Sequence, residues 1–185
     1  MHLLETYSLL SNCKISECFI QDEQIDLPNK QYITFHGFNP KGSTRQYKHW
    51  HTVIELLNND NRFDYEIIQI GGHIDPRYNG TNTSYLGKTT YNSLAYLIKN
   101  CSLHLGYDSF PIHLASHYQK KIVGIYAHFI KNSGPYFSKT EDIILFEPDP
   151  SITKPVFSEH DPLGRINTID PKLIYEAVIK LLCNQ

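Results

Sequence analysis

The sequence predicts an α/β fold in which one doubly wound parallel sheet is covered by helices. From residue 31 onward, apolar runs of strand length alternate with segments in which apolar residues recur at helical spacing. Several of these runs end in a polar turn that leads directly into a helix, as in the strand–helix–strand units of parallel sheets. The chain has 185 residues, 41% of them hydrophobic, which is enough for one domain with its own core.

The individual elements follow from the same two periodicities. Apolar runs predict strands at residues 31–36, 65–70, 84–87, 102–105, 121–127 and 142–146. Helical spacing predicts helices at residues 2–10, 49–58, 91–100, 112–118 and 171–183. Thr90 can cap the third helix, and Asp170 followed by Pro171 is a typical start for the last one. Trp50 is predicted to pack in the core.

Charge and cysteine content exclude several classes of protein. A net charge of −2 gives no sign of a nucleic-acid-binding surface, and no apolar segment reaches the length of a membrane span. The N-terminus lacks the pattern of a signal peptide. The four cysteines form no CxxC pair and have the spacing of neither a zinc ribbon nor a disulfide framework. We therefore expect reduced thiols and a cytoplasmic location.

Residues 105–113 form the predicted strand–turn–helix unit that is most informative about function. Asp108 and Ser109 lie where a strand ends and a helix begins, and Pro111 falls in the first helical turn. Ligands of open α/β sheets bind off the carboxyl ends of the strands, and a helix N-terminus suits phosphate. The alternative is that Asp108 and Ser109 only cap the helix.

Two further loops are expected at the same edge of the sheet. The loop at residues 37–48, after the first strand, is basic, and the loop after the second strand combines glycines with a carboxylate. The residues concerned are Lys41, Arg45 and Lys48 in the first loop and Gly71, Gly72 and Asp75 in the second. Cations, close backbone approach and a carboxylate for ribose hydroxyls together predict a nucleoside-diphosphate site. The alternative for the basic loop is ordinary solvation.

Four segments, taken in order, resemble the donor-binding half of the heptosyltransferases, which are glycosyltransferase family 9 with a GT-B fold. They are residues 44–50, the turn at 71–72, residues 86–90 before a helix, and residues 106–115. The similarity runs from about residue 31 to residue 128. It implies that residues 31–185 form a single Rossmann-like, nucleotide-sugar-binding domain similar to the C-terminal domain of GT-B enzymes. Residues 1–30 would then be a short helix and a linker.

The resemblance also implies roles for five residues. Lys48 matches a lysine that contacts the donor phosphate and sugar, and Asp75 lies near an acidic residue that holds the ribose. Asp108 matches the aspartate that binds donor sugar hydroxyls. Ser109 matches the hydroxyl residue at the diphosphate, and His113 the histidine one helical turn later.

The sequence departs from the family pattern in two ways. Phe110 stands where the family has a glycine that lets the donor approach the backbone. The family also has a preceding Rossmann-like domain that carries the acceptor site and the catalytic carboxylate base. No residue here is assigned as that base. The implied reaction is inverting transfer from a nucleotide-diphosphate sugar without metal or other cofactor, completed by a partner chain or a second copy of this one.

Two alternatives to a glycosyltransferase remain at this point. A binding module could keep the nucleotide or nucleotide-sugar pocket and lack catalysis. A metallohydrolase could use Asp108, His113 and His117, because two histidines four residues apart share one helix face. With 10 histidines in the chain, such a pair is also expected by chance.

Overall fold

The computed structural model describes residues 1–16, 19–38, 45–127, 129–149 and 164–183. In this part of the chain, helices and strands alternate as the sequence predicts, except that β3 follows β2 without a helix between them. The helices are α1 (Leu3–Ser11), α2 (Trp50–Asn59), α3 (Tyr91–Lys99), α4 (Phe110–His117), α5 (Ile130–Ser133) and α6 (Pro171–Cys183). The strands are β1 (Tyr32–His36), β2 (Glu66–Gln69), β3 (Thr83–Ser84), β4 (Leu103–Tyr107), β5 (Lys121–Ile125) and β6 (Ile143–Phe146). Single 3-10 turns lie at Thr140–Asp142 and Arg165–Thr168.

All six strands belong to one parallel sheet in the order β3-β2-β1-β4-β5-β6. The predicted doubly wound α/β fold is therefore confirmed. From β1 the chain first adds strands on one side and then, from β4 onward, on the other. The strand order thus reverses between β1 and β4, where Phe35 lies opposite Leu105. This reversal is the topological switch point at which such sheets bind ligands.

Helices cover both faces of the sheet because alternate strand residues point to opposite sides. In β1, Phe35 belongs to a core formed with α2 and α6, whereas Tyr32 belongs to a second core formed with α3 and α4. Trp50 is fully buried in the first core, as predicted. Two helix starts are also confirmed. Thr90 forms a capping box with Ser93, and the Asp170 carboxylate accepts a hydrogen bond from an N–H group of the first turn of α6.

The structure corrects some element boundaries. Strand β3 covers Thr83–Ser84 rather than residues 84–87, because only these two residues pair with β2 and Gly87 then turns with a φ of +64°. Helix α4 begins at Phe110, two residues before the predicted start. The four-residue helix α5 was not predicted.

Helix α1 confirms the predicted N-terminal helix, but none of its residues is buried. Its N-terminal end is held by two hydrogen bonds, from the Asn132 amide to the Met1 carbonyl and between His2 Nε2 and the Gly134 carbonyl oxygen. Leu9 and Leu10 on its last turn are exposed. Across the described ranges, no helix has both the length and the apolar character needed to cross a membrane.

Candidate functional site

The candidate site lies at the carboxyl edge of the sheet, beside the switch point between β1 and β4. His36 is the last residue of β1, and Asp108 directly follows β4. Ser109 is the N-cap residue of α4. A ring nitrogen of His36, Nδ1, lies 3.1 Å from Ser109 Oγ. The strand–turn–helix unit thus contacts the neighbouring central strand through side chains.

Ser109 precedes α4 but does not cap it with its side chain. Its backbone is extended, and its side chain makes no capping hydrogen bond with α4. Its hydroxyl instead donates to the Tyr107 carbonyl at 3.1 Å and contacts His36. Pro111 lies in the first turn, as predicted. Capping by the Ser109 side chain therefore does not account for this residue, and the alternative weighed for it from the sequence is wrong.

Asp108 is the centre of a small charge cluster. Arg45 Nη1 lies 3.6 Å from its Oδ2, and His113 Nε2 lies 3.7 Å from its Oδ1. The Asp108 side chain is 17% exposed, whereas Arg45 and His113 are each nearly half exposed. The cluster opens into a cavity of about 400 Å³, which is within the size range of small-molecule sites. The lining residues are Leu3, Arg45, Asp108, Ala127, Phe129, Asn132 and Ser133.

The loop after β2 brings Asp75 to the same edge. Gly72 N–H donates to Asp75 Oδ2 at 3.0 Å, and Asp75 N–H donates back to the Gly72 carbonyl at 3.2 Å. Gly71 has a φ of +151°, and a Cβ there would collide with the Asp75 carboxylate. Asp75 Oδ2 also lies 3.4 Å from His36 Nε2, and its side chain is only 4% exposed. In this arrangement Oδ2 of the carboxylate faces His36 and the Gly72 N–H, so a ribose contact would have to use Oδ1.

The predicted cations are placed differently. Arg45 joins the Asp108 cluster, as described above. Lys48 is exposed, and its main-chain N–H donates to Asn167 Oδ1 at 2.7 Å. Within the described ranges, its ammonium has no ion pair with Asp75 or Asp108. Lys41 lies outside the described residues.

Burial suppresses ionisation of the aromatic side chains behind the site. Burial is the main cause that raises the pKa of Tyr107 to about 12, and the negative charge of Asp75 adds to it. Burial is also the main cause that raises the pKa of Tyr126 well above its usual range, and the negative charge of Asp108 adds to it. Burial and then the nearby His36 lower the pKa of His104 to about 3. All three side chains are therefore neutral at physiological pH.

His36 is the functional candidate that the sequence analysis missed. It was identified only as the end of the first strand, and its partners Asp75 and Ser109 come from two other segments. The available signal was its position, since it is a polar residue that ends the central strand next to the switch point.

A metal site has little support in the described part of the chain. No group of three or more histidine, cysteine, aspartate or glutamate side chains there could hold an ion. His113 faces Asp108, but the His117 ring packs edge-on against Tyr118 and Phe137.

The fold matches solved glycosyltransferases. A family 9 glycosyltransferase from Veillonella parvula aligns with 84% of this chain and 47% of its own, at 16% identity and a TM-score of 0.64. E. coli ADP-heptose lipopolysaccharide heptosyltransferase II aligns with 97% of this chain and 51% of its own, at 16% identity and a TM-score of 0.61. A third match is the dodecameric, iron-containing heptosyltransferase TibC, solved in complex with ADP-D-β-D-heptose. It aligns with 86% of this chain and 48% of its own, at 13% identity and a TM-score of 0.62.

These likenesses establish the fold, and the chain spans about half the length of each of the three proteins. No curated protein matches the sequence itself. The family model for glycosyltransferase family 9 (heptosyltransferase), however, matches residues 11–154, which is well over half of the chain. That match includes β1, β4, the start of α4 and the loops that carry Arg45, Asp75 and Asp108, so the chain belongs to glycosyltransferase family 9.

Proposed function

We propose that this chain binds a nucleotide-diphosphate sugar and serves as the donor half of an inverting glycosyltransferase. The observation that carries the proposal is the convergence at the switch point. There, Arg45 and Asp108 line a cavity of about 400 Å³, and Asp108 lies two residues before the start of α4, with its Oδ1 3.7 Å from His113 Nε2. A helix N-terminus stabilises phosphate, and a carboxylate next to a cation can accept hydrogen bonds from sugar hydroxyls.

The residues at this edge of the sheet have specific roles in this proposal. Ser109 and the first turn of α4 hold the diphosphate, and Asp108 accepts hydrogen bonds from the donor sugar. Arg45, whose Nη1 lies 3.6 Å from Asp108 Oδ2, supplies positive charge beside them. Lys48 reaches the phosphates from its exposed position when donor is bound. The backbone at Gly71–Gly72 contacts the nucleoside, and the Asp75 carboxylate reaches the ribose through Oδ1 while its Oδ2 stays against His36.

The proposed reaction is a single displacement. The acceptor hydroxyl oxygen forms a bond to the anomeric carbon while the bond from that carbon to the diphosphate breaks, and the electron pair leaves with the nucleoside diphosphate. The helix N-terminus and Arg45 stabilise the charge that develops on the leaving phosphate. No metal or other cofactor is needed in this scheme.

Transfer further needs a base within hydrogen-bond distance of the acceptor hydroxyl. We assign no such base in this chain, which spans half the length of its structural relatives. We propose that a second domain, a partner chain or another copy of this chain supplies it. The chain's length, about half that of these relatives, also favours a second candidate function, a non-catalytic module that binds a nucleotide or nucleotide sugar.

We also propose a cytoplasmic location. The three cysteines that the structure describes, Cys13, Cys101 and Cys183, are free thiols, as expected in a reducing compartment.

Calorimetric titration tests donor binding. The ligands are ADP-D-β-D-heptose, ADP, UDP-glucose and GDP-mannose, and we expect at least one to bind. Asp108→Asn should weaken that binding about tenfold to a hundredfold, as removal of a charge-assisted contact does. Glu176→Gln, which removes an exposed carboxylate on α6, is the matched control and should bind as the wild type does. No heat with any ligand at millimolar concentration would contradict the proposal.

A transfer assay then separates the two candidate functions. Radiolabelled donor is incubated with candidate acceptors and with the chain alone, and the oligomeric state is verified. We expect binding without efficient transfer by the monomer. Turnover of about 1 per second or faster, the ordinary range for enzymes, would show that the chain needs no partner.

A further inference from the structure

His36 connects three neighbouring strands of the sheet at the candidate site. It ends β1, and its two ring nitrogens face residues from the strands on either side. Nε2 lies 3.4 Å from Asp75 Oδ2 in the loop after β2, and Nδ1 lies 3.1 Å from Ser109 Oγ after β4. The His36 side chain is only 11% exposed. Both ring nitrogens thus have polar partners within a largely buried cluster.

The positions of these partners determine where the Ser109 proton goes. Ser109 Oγ lies 3.1 Å from the Tyr107 carbonyl oxygen, which can only accept. When Nδ1 of His36 carries a proton, it donates to Ser109 Oγ, and the hydroxyl proton of Ser109 is directed elsewhere. When Nδ1 is bare, it accepts that proton itself. The carboxylate at Nε2 favours the neutral tautomer with its proton on Nε2, which leaves Nδ1 bare.

We propose that His36 is a positioning residue for the donor diphosphate. Held by Asp75, the doubly protonated ring donates Nδ1–H to Ser109 Oγ. Ser109 then turns its own proton from the Tyr107 carbonyl to a phosphate oxygen at the N-terminus of α4. This inference rests on the proposed function, because it assumes that a nucleotide-sugar diphosphate lies at that helix end.

The arrangement makes donor affinity depend on a hydrogen-bond donor at position 36. Without that donor, the hydrogen bond from Ser109 to the phosphate is lost. The groups that face His36 are Asp75, Ser109 and Tyr107, and His104 lies close enough to be affected by its charge. The pKa of Tyr107, about 12, and that of His104, about 3, leave both neutral from pH 5 to 9.

The adjacent Asp108 cluster contains a second histidine, and the experiment must separate the two. His113 faces Asp108 rather than His36, with Arg45 on the other carboxylate oxygen. ADP-D-β-D-heptose at pH 7 is a suitable probe, since it carries the diphosphate that Ser109 would contact. Loss of the hydrogen bond should lower its affinity about tenfold, the effect of one hydrogen bond to a charged group.

Four single and two double variants test the direction of the hydrogen bond. His36→Asn places an amide N–H near the position of Nδ1–H, so it should keep the wild-type affinity. His36→Phe should bind about tenfold more weakly. Ser109→Ala should do the same, and adding His36→Phe to it should cost no further affinity, since His36 acts through Ser109. In a His113→Asn background, adding His36→Phe should still cost about tenfold.

The outcomes distinguish this inference from the proposed function. If the wild type binds none of the donors named above, the proposed function is wrong and the inference falls with it. If the wild type binds ADP-D-β-D-heptose, or another nucleotide sugar of that panel used in its place, but His36→Phe binds as tightly as the wild type, His36 does not position Ser109. Binding by His36→Asn as weak as that of His36→Phe has the same meaning, as does an additive cost of His36→Phe in the Ser109→Ala background. Circular dichroism confirms folding. If His36→Phe fails to fold, His36→Gln replaces it, since its longer amide reaches the position of Nε2 rather than Nδ1.

Discussion

His104 provides the sharpest test of the interior electrostatics. It lies fully buried in β4, and its Nδ1 is 3.0 Å from Thr34 Oγ1. Its Nε2 has no hydrogen-bond partner in the described residues. Burial, followed by the nearby charge of His36, lowers the pKa of His104 from 6.5 to about 3. The folded protein therefore holds this imidazole neutral at pH values where the unfolded chain protonates it.

The sign of the effect follows from proton binding. Between pH 6.5 and pH 3 the unfolded chain binds a proton at His104 that the folded protein does not, so the free energy of unfolding falls as the pH falls. Each pH unit in this window is worth about 1.4 kcal/mol. At pH 5, about 1.5 units below the unfolded pKa, His104 should cost about 2 kcal/mol of stability relative to pH 8.

Urea unfolding at pH 8, 6.5 and 5 measures this contribution. His104→Gln removes the titrating group and keeps a side chain that can hydrogen-bond to Thr34. The wild type should lose about 2 kcal/mol more than this variant between pH 8 and pH 5. His51→Gln, which changes an exposed histidine on α2, should parallel the wild type. Equal losses in the wild type and His104→Gln would refute the reasoning, as would an NMR titration showing His104 protonated at pH 5.

Two further predictions concern stability. Gly71→Ala should lower the free energy of unfolding by about 1–3 kcal/mol, because its φ of +151° is strained for alanine and the new Cβ meets the Asp75 carboxylate. Chemical denaturation checks this against Gly72→Ala, whose Cβ would lie 3.4 Å from Asp75 Oδ1 and should be tolerated. Tyr47→Phe should cost about 1–2 kcal/mol, because the buried Tyr47 hydroxyl donates to the Ile169 carbonyl at 2.7 Å and no replacement donor remains. An unchanged urea midpoint for Tyr47→Phe would contradict that assignment.

The strands that the sequence predicted best are those buried on both faces. β1 and β4 are buried along their whole length, and such strands appear in a sequence as nearly continuous apolar runs. β3 has no such run, since its two half-buried residues are a strand only because they pair with β2. α5 is a single turn after Phe129, too short for helical periodicity to reveal.

The candidate site was predictable as far as topology determines it. Parallel strands present their carboxyl ends at one edge, and this placed Asp108 and Ser109 beside the loop that carries Arg45. The contact between His36 and Ser109 joins residues 73 positions apart and depends on side-chain directions that no local pattern encodes. The same limitation applies to Asp75, because its inward orientation depends on the tight turn formed with Gly72.

The central pairing of β1 with β4 has a consequence for how this chain folds. Thr34 and His104 meet across that pair although they are 70 residues apart, so the sheet centre closes only after a long loop has been ordered. Until β4 has been synthesised, β1 has a sheet partner on one side only and exposes an apolar edge. Non-local pairing of this kind slows folding. A nascent chain is therefore most vulnerable to self-association in the interval between synthesis of its first and fourth strands, before the binding crevice exists.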